Sequence, residues 1–361
     1  MARGNSGRRR VFTWKILLRW LIAGAFYYSG LLSLYRFLSG KRNPIILNYH
    51  RVLSPAAHNE AVPAGMVVRP QTFAKHLRYL RRRYQVVSME QLIESRERNE
   101  PTGRPLCVIT FDDGWRDNYE EALPLLRRYG LPATLFISTG FMGNGQTPWF
   151  YRLGHVLHAL AGVSDDRCTA LRSNTQLDLP VALLAWLAGS TLARQRDIED
   201  VIEGMKTLPG AELESVVERL RLLLASAGQN VNGNDTAMLD WDQIREMART
   251  SFEIGSHGVT HLILTQIPEQ AMKEEVFESK HCIEEQLRQS VGGFSYPNGN
   301  YSAEVESLVR TAGYRYACTT KPGSVERCDN PYQLKRISVH DDVTFSTALF
   351  ACHIAGVFKL V

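Results

Sequence analysis

The sequence predicts an α/β fold: a distorted or incomplete (β/α)7-type barrel with a helical insertion between two strand-end motifs. Three observations lead there. From Pro44 onward, short apolar runs alternate with longer amphipathic ones, the pattern of a parallel sheet wrapped by helices. Two of those runs end in chemistry-bearing residues, Asp112-Asp113-Gly114 and His257-Gly258. Between Phe141 and Asp240 the alternation stops for about a hundred residues, too long for a plain loop.

Taken in order, Ile45–Tyr49 reads as the first strand. The helical spacing of Phe73, Leu77 and Leu80 predicts a helix over 72–83, followed by a brief strand at 85–88 and a helix at Met89–Arg98. Leu106–Phe111 is an apolar strand running into the two aspartates. Residues 119–129 form a helix stopped by Gly130 and Pro132, and 133–138 the next strand. Strands resume at Phe252–Ser256, 293–296, 314–319 and 335–339, separated by helices at 269–289 and 303–312, giving seven or eight strands. The interruption, 145–240, carries helical text at 151–161, 181–192, 197–208 and 211–227, then a run at 229–235 rich in Asn and Gly. It leaves the barrel at the same end as the aspartates, so it can wall a substrate groove or be a remote packing appendage.

Two units result, a basic and apolar segment at 1–42 and a barrel domain at 43–361. Of 361 residues 44% are hydrophobic, enough for a substantial core and unlike a disordered or fibrous chain. The net charge of +5 is unevenly spread. Residues 1–42 hold nine Lys or Arg and no acid, leaving 33 basic against 37 acidic residues in the remainder. The body therefore has no excess of positive charge for nucleic acid. Six dispersed cysteines, without a C-x-x-C pair, read as small hydrophobes or free thiols.

The N-terminal segment sets Arg8, Arg9 and Arg10 before an apolar stretch closed by Arg36, Lys41 and Arg42. Its uncharged part, Trp20 to Tyr35, is shorter than the ~20 residues that span a bilayer. Extending it over 11–38 brings in Lys15 and Arg19, which would have to snorkel. A signal peptide, an uncleaved anchor and an interfacial helix compete. Trp14, Trp20, Tyr27, Tyr28 and Tyr35 suit an interface, and no cleavage site stands out, so a retained membrane element is expected. The expected location is at a membrane, taken as the inner membrane of a bacterial cell envelope. Arg8 to Arg10 favour an exported, periplasmic body, a bias that Arg36 to Arg42 weaken. Residues 345–361 read as a last barrel helix or a second membrane contact.

Asp112 and Asp113 directly follow a strand, at the carboxyl end where catalytic groups of such barrels gather. An Asp-Asp-Gly run alone is commonly a turn or helix cap. His257 and His261, four apart after a second strand, share a face if the turn is helical and can then hold one cation. Two histidines and a carboxylate with open positions suit Zn²⁺ foremost, and also Co²⁺, Ni²⁺ or Fe²⁺.

Thr110-Phe-Asp-Asp-Gly114 and Ser256-His-Gly-Val-Thr-His261 together resemble the first two motifs of the polysaccharide deacetylase family, also called the NodB-homology domain or carbohydrate esterase family 4. The resemblance covers roughly 44–340. It implies that Asp113, His257 and His261 bind a divalent metal and that Asp112 is the general base. An amine leaving group needs a general acid. In a permuted branch of the family that acid follows the first strand in a Tyr-His pair. Ile46-Leu-Asn-Tyr-His50 has this form, making His50 the expected acid and His340 the second choice. The third motif ordinarily carries an arginine that steadies the base. Here the text is Phe294-Ser-Tyr-Pro-Asn-Gly299, with Ser295 in the arginine's place. Another group must then set Asp112. Tyr296 and Asn298, and the ring of Trp149, are expected substrate contacts.

The implied reaction is removal of an N-acetyl group from an amino sugar in a surface or exported polysaccharide, beside polysaccharide-synthesis machinery. A lipid-linked amino sugar, deacetylated or deformylated at the membrane, is the runner-up substrate. An inactive glycan-binding or synthase-scaffolding module is the alternative of a different class, kept open by Ser295.

Overall fold

A computed structural model of the chain describes residues 14–38, 43–54, 62–98, 103–173, 178–190, 193–194, 198–226 and 237–358. Arg8 to Arg10, Lys41, Arg42 and the 229–235 run lie outside the described residues.

The strands are β1 (Ile45–Tyr49), β2 (Arg51–Val52), β3 (Val67–Val68), β4 (Gln85–Val87), β5 (Leu106–Phe111), β6 (Ala133–Ile137), β7 (Phe252–Ser256), β8 (Gly293–Ser295), β9 (Tyr316–Cys318) and β10 (Ile337–Ser338). An eight-stranded sheet runs β10-β1-β5-β6-β7-β8-β9, with β4 paired to β5 off that path. Every pairing in it is parallel. The sheet curls until its ends nearly meet. β10 pairs with β1, while Leu334, just before β10, bridges Cys318 of β9. This is the expected distorted barrel.

β1, β5 and β6 are buried along their whole length, as parallel strands covered on both faces must be. Alternation sorts their side chains. Ile46, Val108 and Phe136 point inward with Tyr316, Cys318 and Leu334, and Met89, Leu92 and Ile93 of the helix Met89–Arg98 join that inner cluster. Leu47, Tyr49, Ile109 and Phe111 point outward against Phe73, Leu77 and Leu80 of the helix Pro70–Arg83. The same alternation carries Asn48, Thr110 and Asp112 inward, one layer after another.

The interruption between β6 and β7 is helical as expected: Trp149–Ala161, Asp165–Ser173, Val181–Leu187, Ile198–Met205 and Gly210–Ser226. The helix Asp165–Ser173 was not legible in the sequence, nor was Trp241–Ala248, which Asp240 opens with a capping box closed by Gln243. All six cysteines are free thiols, four of them buried.

One buried group makes the outer layer acid-sensitive. His76 stacks on Phe350 at 3.9 Å between ring centroids and lies within hydrogen-bonding distance of the Thr344 carbonyl (2.8 Å) and the Tyr49 hydroxyl (3.2 Å). Burial lowers its pKa to about 3. The unfolded chain takes up this proton from about pH 6.5 downward and the folded chain does not. Stability present above that pH is therefore expected to fall by up to ~1.4 kcal/mol per unit as the pH drops toward 3. Thermal melts of His76→Gln against the parent between pH 7 and 4 check this, the parent showing the steeper loss.

Candidate active site

β5 ends in two aspartates that separate at once. The Asp112 amide still donates to the Tyr49 carbonyl at 3.1 Å, as a continuation of the strand. Asp113 then takes a left-handed backbone, φ +78, followed by Gly114 at φ +94. A side chain at Gly114 would meet Met142 at 2.9 Å and Ile137 at 3.3 Å, so the turn requires glycine there. This reversal sends the Asp112 carboxylate into the barrel and the Asp113 carboxylate toward β7.

Asp112 meets Arg336, which precedes β10. Both side chains are almost wholly buried. The guanidinium forks onto the carboxylate, Nη1 to Oδ1 at 2.8 Å and Nη2 to Oδ2 at 2.7 Å. Of its three remaining N–H groups, Nε donates to the Thr319 carbonyl, Nη2 to Ser295 Oγ, and the second on Nη1 is shared between Asn48 Oδ1 and Thr110 Oγ1. Burial alone would raise the Asp112 pKa. Arg336, with His257 and His50, more than offsets it and holds the carboxyl below its ordinary value. The arginine missing from the third motif is thus supplied from the far edge of the sheet, and the small Ser295 accepts from it. An arginine in the run 335–339, read as the closing strand, was the signal available in the sequence. What connected it to Asp112 was the meeting of β10 with β1, which spacing does not reveal.

Asp113 Oδ1 lies 3.3 Å from His261 Nε2 and 3.5 Å from His257 Nε2, and it is buried with no hydrogen-bond partner. Its other oxygen accepts from Trp115 Nε1 at 2.8 Å. The ligand atoms of these three residues lie within 4.8 Å of one another. Donors about 2.0–2.2 Å from a four-coordinate zinc stand roughly 3.3–3.5 Å apart, so the set fits a divalent cation. His257 is arranged for the same role. Its Nδ1 lies 2.6 Å from the Ser295 carbonyl, which fixes the proton there and leaves Nε2 as the lone-pair nitrogen. Burial lowers its pKa to about 4 against the pull of Asp112. Burial opposes ionisation of Asp113, and the histidines around it outweigh burial and drive its pKa down.

The expectation of a helical turn between the two histidines is corrected. Residues 257–263 form no helix, and His261 itself sits at φ +58. Glu275, on the helix Glu269–Leu287, shapes the loop instead. Its carboxylate accepts from the amides of Val259 (2.6 Å) and Thr260 (3.0 Å) and from the Thr260 hydroxyl. Gly258, at φ +80, lets that carboxylate approach, since a side chain there would meet Glu275 Oε2 at 2.6 Å. Glu275→Ala is expected to weaken divalent-metal affinity by roughly 10–100-fold, the usual cost of losing a group that orients a ligand, with Glu275→Gln in between. Competition against a chromophoric chelator reads it out.

His50 lies directly after β1 and lines a cavity of about 550 Å³ with Asp112, Asp113, His257 and His261. Burial lowers its pKa, and the facing carboxylates of Asp113 and Asp112 partly restore it. His340 is not among the cavity's lining residues. Its Nδ1 lies 3.6 Å from Asp342. Tyr296, Asn298 and Trp149 all line the cavity. Trp149 does so as a buried ring packed edge-on to Phe150. Tyr296 is buried with its hydroxyl on the Tyr332 carbonyl, and Asn298 accepts from Lys206 at 2.8 Å. Lys206, with Glu199, Asp200, Ile202 and Glu203, brings the inserted helices to the cavity wall. The insertion is therefore a wall of the groove and not a remote appendage.

A curled parallel barrel carrying an Asp-His-His cluster that could hold a metal, and an arginine-held carboxylate, at its carboxyl end defines the class of the site. The family described as Polysaccharide deacetylase matches residues 99–158 and 219–317. The chain belongs to that family. YxkH of Bacillus subtilis (strain 168), whose name assigns it to the same deacetylases, is 22% identical over 295 residues, covering 81% of this chain and 70% of its own. Among solved structures, the deacetylase PplD of Streptococcus pyogenes in complex with acetate superposes with a TM-score of 0.54 at 20% identity, covering 86% of this chain and 97% of that one. IcaB from Ammonifex degensii gives 0.53 at 17% identity, covering 86% and 97%. These similarities establish the fold.

Proposed function

We propose that this chain hydrolyses the N-acetyl group of an amino sugar within a surface polysaccharide, using Asp113, His257 and His261 to hold a divalent metal, zinc foremost. The observation that carries the reading is the buried, partnerless Asp113 oxygen between two imidazole nitrogens, in one cavity with Asp112 and His50. A cation bound there would polarise the acetyl carbonyl and make water acidic enough to attack at neutral pH. Asp112, kept ionised by Arg336, takes the proton of the attacking water. The water oxygen bonds to the acetyl carbon, the carbon–nitrogen bond breaks, and His50 protonates the departing amine. Acetate and a free amino sugar result. The inserted helix Ile198–Met205 supports a groove that takes a sugar with its neighbours. The inactive-module reading rested on Ser295, and Arg336 supplies what that position lacks.

Acetate release from N-acetylglucosamine monomer, N-acetylglucosamine oligomers and a lipid-linked N-acetylated sugar by the full chain tests the substrate class. The polysaccharide reading expects oligomers to be cleaved at least tenfold faster per site than the monomer. Preference for the lipid-linked sugar would overturn it. His50→Gln is expected to lower kcat by ~10²–10⁴-fold on an amide and much less on an acetyl ester of a good leaving group, which needs no acid.

A further inference from the structure

The first two helices present the wrong face to water. In α1 (Trp14–Tyr28) the residues at helical spacing Trp14, Leu17, Leu18, Leu21, Ala25 and Tyr28 are all exposed, while Ala23 is fully buried. In α2 (Leu31–Leu38) Leu32 is buried, whereas Leu31, Leu34, Phe37 and Leu38 face outward, Phe37 at 81% exposure. None of these outward residues is charged. A surface helix of a soluble domain shows the opposite arrangement, with its polar face outward.

The inner faces are tied to the barrel domain. Ala23 packs on Cys352 of the helix Thr347–Ile354, Tyr27 on Tyr79, and Arg36 donates to the hydroxyls of Tyr79 and Tyr84. No single described helix is long and apolar enough to cross a membrane, and the two are bent by 78° at the turn holding Gly30. At ~1.5 Å per residue α1 reaches about 22 Å, short of a ~30 Å hydrocarbon core. To span, the pair would have to strip Ala23, Leu32 and Arg36 from their partners.

We propose that α1 and α2 form a docking surface that lies on an anionic lipid bilayer without crossing it, holding the barrel domain at the interface. Charge selects this occupant. Residues 1–42 carry nine basic and no acidic residues, while the remainder holds 33 basic against 37 acidic. Anionic lipid is therefore attracted to this segment, whereas a second copy would bring an equally basic segment with it. Trp14, Trp20 and Tyr28 supply the amphipathic rings favoured at headgroup depth. Arg36 also orients the domain. Tyr84 immediately precedes β4, so α2 ends at the amino end of the sheet, whereas Asp112 and Asp113 lie beyond the carboxyl end of β5. At that edge the cavity is turned from the lipid toward the aqueous phase. The docking reading stands independently of the deacetylase reading.

The test is flotation of the full chain, purified in mild detergent, with vesicles of phosphatidylcholine alone or mixed with phosphatidylglycerol. Binding to the anionic vesicles, at least tenfold weaker without phosphatidylglycerol, is expected. Leu21→Glu/Leu34→Glu should lose at least tenfold in binding while its acetate release from a soluble oligomer, or failing that its melting temperature, stays that of the parent. Terminal tags on the bound chain should both be cleaved by protease added outside. Tags on opposite sides of the membrane, equal binding to both vesicles, or a concentration-dependent dimer that ignores vesicles would each overturn the proposal.

Discussion

Replacing Arg336 by methionine is expected to lower kcat/KM by ~10²–10⁴-fold, the range that a positioned proton acceptor contributes. The substitution removes both N–H groups forked onto Asp112 and leaves a buried carboxylate unpaired, at a cost of about 3–5 kcal/mol in stability. The pH dependence has a definite sign. Arg336 depresses the Asp112 pKa in the folded chain, so the stability it provides is present above the unfolded value, near 3.9, and is lost as the pH falls through the folded one. The deficit of the variant should accordingly be largest at neutral pH and shrink toward pH 3. The acid limb of the pH–rate profile should move upward, because Asp112 would protonate more readily. Arg336→Lys is expected to recover little, since one ammonium cannot reproduce the planar fork that also serves Ser295, Asn48 and Thr110. Turnover of Arg336→Met within threefold of the parent would remove Arg336 from the account.

His257→Ala and Asp113→Ala are expected to abolish stoichiometric divalent-metal binding and to lower turnover by roughly 10³-fold or more, several kcal/mol of lost stabilisation. The two differ in what they leave behind. Asp113→Ala removes the oxygen that lacks a partner, together with the acceptor of Trp115 Nε1, so the indole N–H is left buried and unpaired. His257→Ala opens a void beside the Ser295 carbonyl and frees Asp113 from one neighbouring nitrogen. Metal content by atomic emission and turnover after metal addition separate a lost ligand from a lost fold. Either variant binding metal as the parent does would move the metal elsewhere.

Most of the barrel was legible because its evidence is local. Each strand is an apolar run, and the two clusters sit at strand ends, where Asp-Asp-Gly and the paired histidines announce themselves. Ends were less legible: β9 and β10 are shorter than the apolar runs at 314–319 and 335–339. The residues that complete the site could not be read. Arg336 reaches Asp112 across 224 positions of sequence because β10 closes on β1. Glu275 acts from the middle of a helix whose other residues read as an ordinary amphipathic surface. Nothing in the sequence singles out Trp115, whose indole N–H donates to Asp113. The His-x-x-x-His spacing pointed to two rings that the structure does bring together, but for a reason that does not hold, since a left-handed His261 on a loop and not a helical face does so. At the N-terminus the sequence favoured a retained membrane element without choosing between an anchor and an interfacial helix, because hydropathy cannot say which face of a helix is already taken. Ala23 and Leu32, buried against the barrel domain, supply that information.

Acetate release from N-acetylglucosamine oligomers by the metal-stripped full chain, reloaded with Zn²⁺, Co²⁺ or Ni²⁺ and run beside Asp112→Asn, tests the central claim most directly. The account predicts release that depends on added metal and falls by ~10²–10⁴-fold in Asp112→Asn, with metal affinity retained in the variant. Metal-independent release, or undiminished release from Asp112→Asn, would contradict it.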